Sequence, residues 1–157
     1  MLSDYSDLLS ILNAHGVKYL IAGAYAVAIY AQPRATKDLD ILVKPEAENA
    51  EALFAALSEF GAPLQNVKPA DFQQAGVFFR IGREPVSIDI LTEIPGIDFD
   101  SAWQQRVQEI FDEQRNLPAN FLSRNDLLAS KRAAGRYQGL ADVDAIERAG
   151  NEGEKPE

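Results

Sequence analysis

The residues of this chain best suited to chemistry are aspartates set inside strand-forming sequence. Asp38 and Asp40 stand in "DLDILV", where Leu39, Ile41 and Val43 alternate with Asp38, Asp40 and Leu42, the period-two pattern of a β-strand. Residues two apart on a strand share a face, so both carboxylates point the same way while Leu39 points into the core. Neighbouring carboxylates repel, and a hard divalent cation relieves that repulsion; Mg2+ is usually held by one or two carboxylates together with water and substrate phosphates. A third acid, Asp89, lies in "VSIDIL", with Val86, Ile88 and Ile90 on one face and Ser87 and Asp89 on the other. A carboxylate amid so much apolar sequence needs a partner, because burying an unpaired charge is costly. If the two strands lie side by side, three carboxylates converge and can hold two cations. Such ions, about 3.5–4 Å apart, activate an attacking oxygen and stabilise the leaving one in phosphoryl or nucleotidyl transfer. The competing reading of these acids is a solvated polar sheet face.

Gly23-Ala24 supplies the other half of such chemistry. A strand that ends at glycine and turns directly into a helix presents free backbone N–H groups to an anion, and a triphosphate tail could rest there. A tight, closely packed strand-to-helix turn explains the same pair without a ligand.

The elements that must position these residues follow from periodicity. Tyr5, Leu8, Leu9 and Leu12 recur at helical spacing after Ser3, which suits an N-cap, and Gly16 suits the C-terminal stop. Val17 to Ala22 reads as a short buried strand, Ala24 to Ala31 as an apolar helix ended by Pro33, and Pro45-Glu46 as the start of a helix running to Gly61. Residues 62–76 lack a period and read as a loop. Val77 to Ile81 and Val86 to Leu91 form a hairpin across Gly82-Arg83-Glu84-Pro85. A helix is expected over Ser101 to Ile110, a linker at Asn116-Leu117-Pro118, a helix capped by Ser123 and another from Leu140 to Ala149. This order predicts an α/β (α+β) fold: a short mixed sheet flanked by helices, with C-terminal helices completing a cleft. Residues 1–150 are expected to form a single domain and 151–157 a disordered tail.

Composition bounds the function. With 157 residues, 46% hydrophobic and 25% charged, the chain has the makings of a globular core. It holds no cysteine and a single histidine, His15, so a metal must bind through oxygen or that one ring. The net charge of -9 argues against broad, unspecific binding to duplex nucleic acid, though not against a local basic patch. No apolar run approaches the roughly 20 residues of a membrane span, and Met1-Leu2-Ser3-Asp4 lacks the basic start of a secretion signal, so a cytoplasmic location with no membrane contact is expected. Trp103, Phe78 and Phe79 read as core residues rather than base-stacking groups.

The order Ala22-Gly23-Ala24, then Asp38-Leu39-Asp40-Ile41 after thirteen intervening residues, resembles the signature of the polymerase-β-type nucleotidyltransferase superfamily. Ala24 departs from the usual Gly or Ser there, keeping a backbone donor without a hydroxyl. "PRATKDLDILV", "IDILTEIPGIDF" and "KRAAGRYQGLADVDAI" are similar to three blocks of small bacterial nucleotidyltransferase-like proteins, including minimal nucleotidyltransferases and toxin–antitoxin or phage-defence relatives. In the third block Gly139 replaces an acid, leaving Lys131, Arg136 and Asp142. The resemblance implies that Asp38 and Asp40 ligate Mg2+ or Mn2+, one or two ions, and that Asp89 completes the site and helps activate the nucleophile. It implies that Gly23 and Ala24 cradle the β- and γ-phosphates. Arg34, Thr36 and Lys37 are candidate phosphate or acceptor contacts, and Lys131 and Arg136 candidate cations for the triphosphate. The implied reaction transfers a nucleoside monophosphate from a nucleoside triphosphate to a hydroxyl on an RNA end, a protein side chain or a small molecule such as an aminoglycoside. The alternative is a non-catalytic nucleotide-binding antitoxin or partner subunit, and a third reading is a purely structural interaction module.

Overall fold

The computed structural model describes residues 2–31, 38–83 and 86–154. Helix α1 (Leu2–Ala14) buries Tyr5, Leu8, Leu9 and Leu12 at the predicted spacing, but it starts at Leu2, so Ser3 lies within it and is not its cap. Strand β1 (Tyr19–Ala22) is buried along its whole length and passes without a loop residue into helix α2 (Gly23–Tyr30). Strand β2 (Asp38–Val43) carries the paired aspartates and leads into helix α3 (Ala47–Phe60), which ends at the left-handed Gly61. The aperiodic stretch after α3 holds a short 3-10 helix (Pro69–Gln73) whose Phe72 enters the core. Strands β3 (Phe78–Arg83) and β4 (Val86–Leu91) pair antiparallel as expected of the hairpin, but Gly82 and Arg83, expected in its turn, are paired residues of β3, and residues 84–85 lie outside the described residues.

These strands belong to one six-stranded mixed sheet of order β3-β4-β2-β1-β6-β5. β1 runs antiparallel to β2 and parallel to β6, and β2 runs parallel to β4. Helix α1 packs against α3 and β6, while α2 packs against β1, β2, α5 and α6. The α/β (α+β) architecture, a mixed sheet flanked by helices with helices closing the C-terminal part, is the one expected.

Several elements correct the expectation. The helix predicted to reach Ile110 stops early: α4 spans Phe99–Gln105, Arg106 turns extended, and Val107–Asp112 is strand β5. The predicted linker at 116–118 instead opens strand β6 (Leu117–Phe121). Pro118, read as a breaker, sits opposite Ile110 beside a register irregularity, a place where a missing N–H does little harm. The turn between them ends at Asn116, whose φ of 51° lies in the left-handed region that asparagine tolerates. Ser123 caps α5 (Arg124–Ala134) as predicted, its hydroxyl accepting from the Asp126 N–H at 3.1 Å. The last helix is longer than predicted: α6 runs over Tyr137–Glu154, and so includes residues 151–154 of the expected tail. Among the described residues, no helix is long and apolar enough to cross a membrane.

A buried amide ties the sheet to its covering layer. Asn49 of α3 accepts from the Lys18 N–H (2.8 Å) and donates to the carbonyls of Lys18 (3.1 Å) and Lys44 (3.0 Å), joining the approach to β1 to the exit of β2. Asn49→Ala removes all three of these part-buried bonds, leaving the Lys18 carbonyl only its contact from the Lys44 N–H (3.4 Å), and unfolding by urea should show a loss of about 2 kcal/mol; Asn49→Asp should cost at least as much, because its carboxylate cannot donate.

Candidate active site

The sheet register assembles the site. β2 and β4 lie side by side and parallel, with Asp40 opposite Asp89 and Asp38 opposite Ser87. Continuing outward, Asp89 faces Arg80 on β3; continuing inward, Asp40 faces Ala22 on β1. One row across four strands therefore reads Arg80, Asp89, Asp40, Ala22, and all three site aspartates share a face. The opposite face of the same strands presents Leu39, Ile41, Ile88 and Ile90, all buried, so the register is locked by the core beneath it.

Each acid has a different environment. Asp38 accepts a 2.7 Å hydrogen bond from the Ser87 hydroxyl. Asp89 is held by the Arg80 guanidinium in a two-pronged contact, Nε to Oδ1 at 2.7 Å and Nη2 to Oδ2 at 3.1 Å. Asp40 lies between two other carboxylates. Burial first, then the charges of Asp89 and Asp38, push its pKa up to about 6, with Lys131 opposing and a hydrogen bond to Asp89 favouring the protonated form. Tyr5 of α1 hydrogen-bonds the Ser87 carbonyl at 3.3 Å, and burial chiefly, reinforced by Tyr25, Asp38 and Asp89, raises its phenol to about 12.

Gly23 explains its own identity. Its φ is +64°, and a Cβ there would fall 2.2 Å from Asp40 Oδ2 and 3.0 Å from Asp40 Cγ. Only glycine lets the first turn of α2 approach the carboxylate this closely. No side chain caps that helix start. The first N–H groups of a helix have no partner within it, and this helix start lies against Asp40.

A cleft of about 470 Å³ contains Gly23, Asp38, Asp40, Asp89, Lys131 and Arg136 in its wall. Ala24 sits in the first turn of α2 beside Gly23. Lys131 reaches the cleft from α5 while pairing with the buried Asp142 of α6 (3.4 Å), so the third sequence block meets the first two. Arg34, Thr36 and Lys37 lie outside the described residues.

Sequence reading missed Arg80, although the hairpin contains the signal: counting back from the pair Arg83 and Val86 places Arg80 opposite Asp89. It also misplaced Phe78. That ring is 55% exposed and lines the cleft, because Phe78 shares the Arg80 face of an edge strand; its neighbour Phe79 turns inward against Phe72.

Asp38 and Asp40 are the residues that could hold a hard cation. Asp38 and Asp40 project together from one strand, whereas both Asp89 oxygens are engaged by Arg80. Among the described residues no group of three or more His, Asp or Glu side chains is arranged to hold a metal ion.

No family model matches the chain, and no curated protein does. Solved structures do match. The chain is similar to the lincosamide antibiotic adenylyltransferase LnuA, solved with lincomycin bound: TM-score 0.57, 11% identity, 92% of this chain and 95% of that one. It is also similar to a candidate nucleotidyltransferase from Thermotoga maritima, with a TM-score of 0.52 and 15% identity over 92% of this chain and 89% of that one. At such identities the shared property is the fold, and the chain has the architecture of nucleotidyltransferases.

Two outcomes follow from this geometry. Gly23→Ala combines a left-handed φ with a clash on Asp40, and thermal unfolding should register a loss of about 1–3 kcal/mol. Asp40 has a folded pKa above its unfolded one, so its contribution is fully present below about pH 4 and is lost as pH rises through about 6. In metal-free buffer, Asp40→Asn should therefore gain on the wild type by up to about 3 kcal/mol between pH 4 and pH 7.5, measured by denaturant titration at each pH.

Proposed function

We propose that this chain is a Mg2+-dependent nucleotidyltransferase that moves a nucleoside monophosphate from a nucleoside triphosphate to a hydroxyl acceptor. The observation carrying this reading is the placement of Asp40, on one strand face with Asp38, directly against the uncapped start of α2 at Gly23. Carboxylates for a cation and backbone donors for a phosphate chain are the two things the reaction needs in one place.

In this reading Asp38 and Asp40 hold Mg2+ or Mn2+, which when bound neutralises phosphate charge and polarises the α-phosphate. The Gly23 and Ala24 N–H groups receive the β- and γ-phosphates. Lys131 and Arg136, which line the same cleft, add the positive charge that phosphoryl transfer uses. The acceptor oxygen attacks the α-phosphorus, the bond to the bridging oxygen breaks, and pyrophosphate leaves. The proton of the acceptor hydroxyl passes to Asp89, the carboxylate assigned to nucleophile activation. Arg34, Thr36 and Lys37 are retained as candidate phosphate or acceptor contacts on sequence grounds. A small-molecule hydroxyl is the preferred acceptor, because the adenylyltransferase sharing this fold is one for lincosamide antibiotics; an RNA end or a protein side chain are the other acceptors.

A second reading, a nucleotide-binding antitoxin or partner subunit without turnover, draws on one observation: Arg80 occupies Asp89, the residue assigned to nucleophile activation. Thermal stability with ATP, GTP, CTP or UTP plus Mg2+ or Mn2+ tests the site. At about 100 times its dissociation constant a ligand should stabilise the wild type by roughly 2.7 kcal/mol. The double variant Asp38→Asn/Asp40→Asn should lose that metal-dependent shift. Release of pyrophosphate during incubation with an acceptor then separates the enzyme from the binder. A wild type that no nucleotide stabilises with either metal would remove both readings.

A further inference from the structure

We propose that Arg80 is a resident cation of this site, standing at Asp89 where a second divalent ion would otherwise bind, so that the chain takes a single ion at Asp38 and Asp40. The inference rests on the nucleotidyltransferase reading and goes beyond it, since it assigns the number of ions and a role to a residue outside the expected set.

Three observations carry it. The Arg80 contact to Asp89 is two-pronged, and it engages both oxygens that a metal would use. A guanidinium fork matches a carboxylate better than any other side chain does, and its charge cannot be lost by titration. The contact also belongs to the sheet itself: Arg80 and Asp89 are directly paired residues of the β3–β4 ladder, so the backbone already sets the two side chains together. Finally, Arg80 also lies over the Phe78 ring, with Cζ 5.4 Å from its centroid. The Asp89 side chain is only 6% exposed while that of Arg80 is 39% exposed. The carboxylate is thus mostly buried in the cleft wall, with the more exposed guanidinium lying beside it.

The charge arrangement makes the same point. Adjacent positions on β4 and β2 bring Asp89 and Asp40 together, and Arg80 extends that row by one strand with the compensating positive charge. A divalent ion entering at Asp89 would have to displace a tethered cation that carries its own hydrogen bonds.

Counting bound Mn2+ by the electron paramagnetic resonance signal of the free ion, with the full chain and Mn2+ alone, tests this. Arg80→Ala should bind one ion more per chain than the wild type, and Arg80→Gln, which keeps a donor near the Nε position but not the charge, should gain the same ion. Arg80→Lys, which keeps the charge, should not gain it. Adding Asp89→Asn to Arg80→Ala should abolish the gain, and circular dichroism on each variant checks that the fold is retained. Equal ion counts in the wild type and in both neutral variants would overturn the proposal, as would two ions in the wild type. Failure of the underlying function looks different: the wild type would then show no nucleotide-dependent stabilisation, whatever the variants bind.

Discussion

The parallel pairing of β2 with β4 is the constraint on which this molecule turns. It places Asp40 beside Asp89 and Asp38 beside Ser87, at the separation of neighbouring strands, which is about 4.8 Å. Like charges at that distance destabilise a sheet unless something answers them. The surrounding structure supplies the answers in order: Arg80 on the next strand out, the Ser87 hydroxyl across from Asp38, Lys131 from the C-terminal helices. Parallel strands also demand a crossover, and α3 with the short helix at Pro69–Gln73 and strand β3 occupies the whole chain between β2 and β4.

The site is held by its supports rather than by its own residues. Beneath the acid face lies an apolar layer of Leu39, Ile41, Ile88 and Ile90, whose burial fixes which way the aspartates point. The face itself carries an electrostatic cost, visible in the raised pKa of Asp40. Functional sites commonly retain such local penalties because the chemistry needs them, and the core offsets the loss. Gly23 shows the same logic in steric form, since the helix start can press on Asp40 only without a Cβ.

Much of this was legible beforehand because the relevant signals are local. Period-two alternation in "DLDILV" and "VSIDIL" identified both acid strands and the shared face of each pair, and Gly23 marked the sharp strand-to-helix turn. The failures have physical reasons of their own. Strand β5 is an edge strand with several exposed residues, so its alternation is blurred and it read as the continuation of a helix. Strand β6 begins at a proline-containing run that looks like a linker until the irregular pairing with β5 shows where the missing donor falls. Phe78 reads as core because its neighbours show amphipathic rather than basic patterning, whereas its strand position puts the ring on the acid face.

The sequence by itself determined the residue types and their local phase: which aspartates share a strand face, where backbone donors are left free, which helices bury which stripe. Those properties depend on the geometry of one element and on neighbours a few positions away. Only the tertiary structure decided that Asp89 meets Asp40 and not some other strand, that Lys131 and Arg136 close the same cleft, and that Arg80 claims both oxygens of Asp89. Sheet order and parallel register arise from the packing of all layers at once, and no local period encodes them.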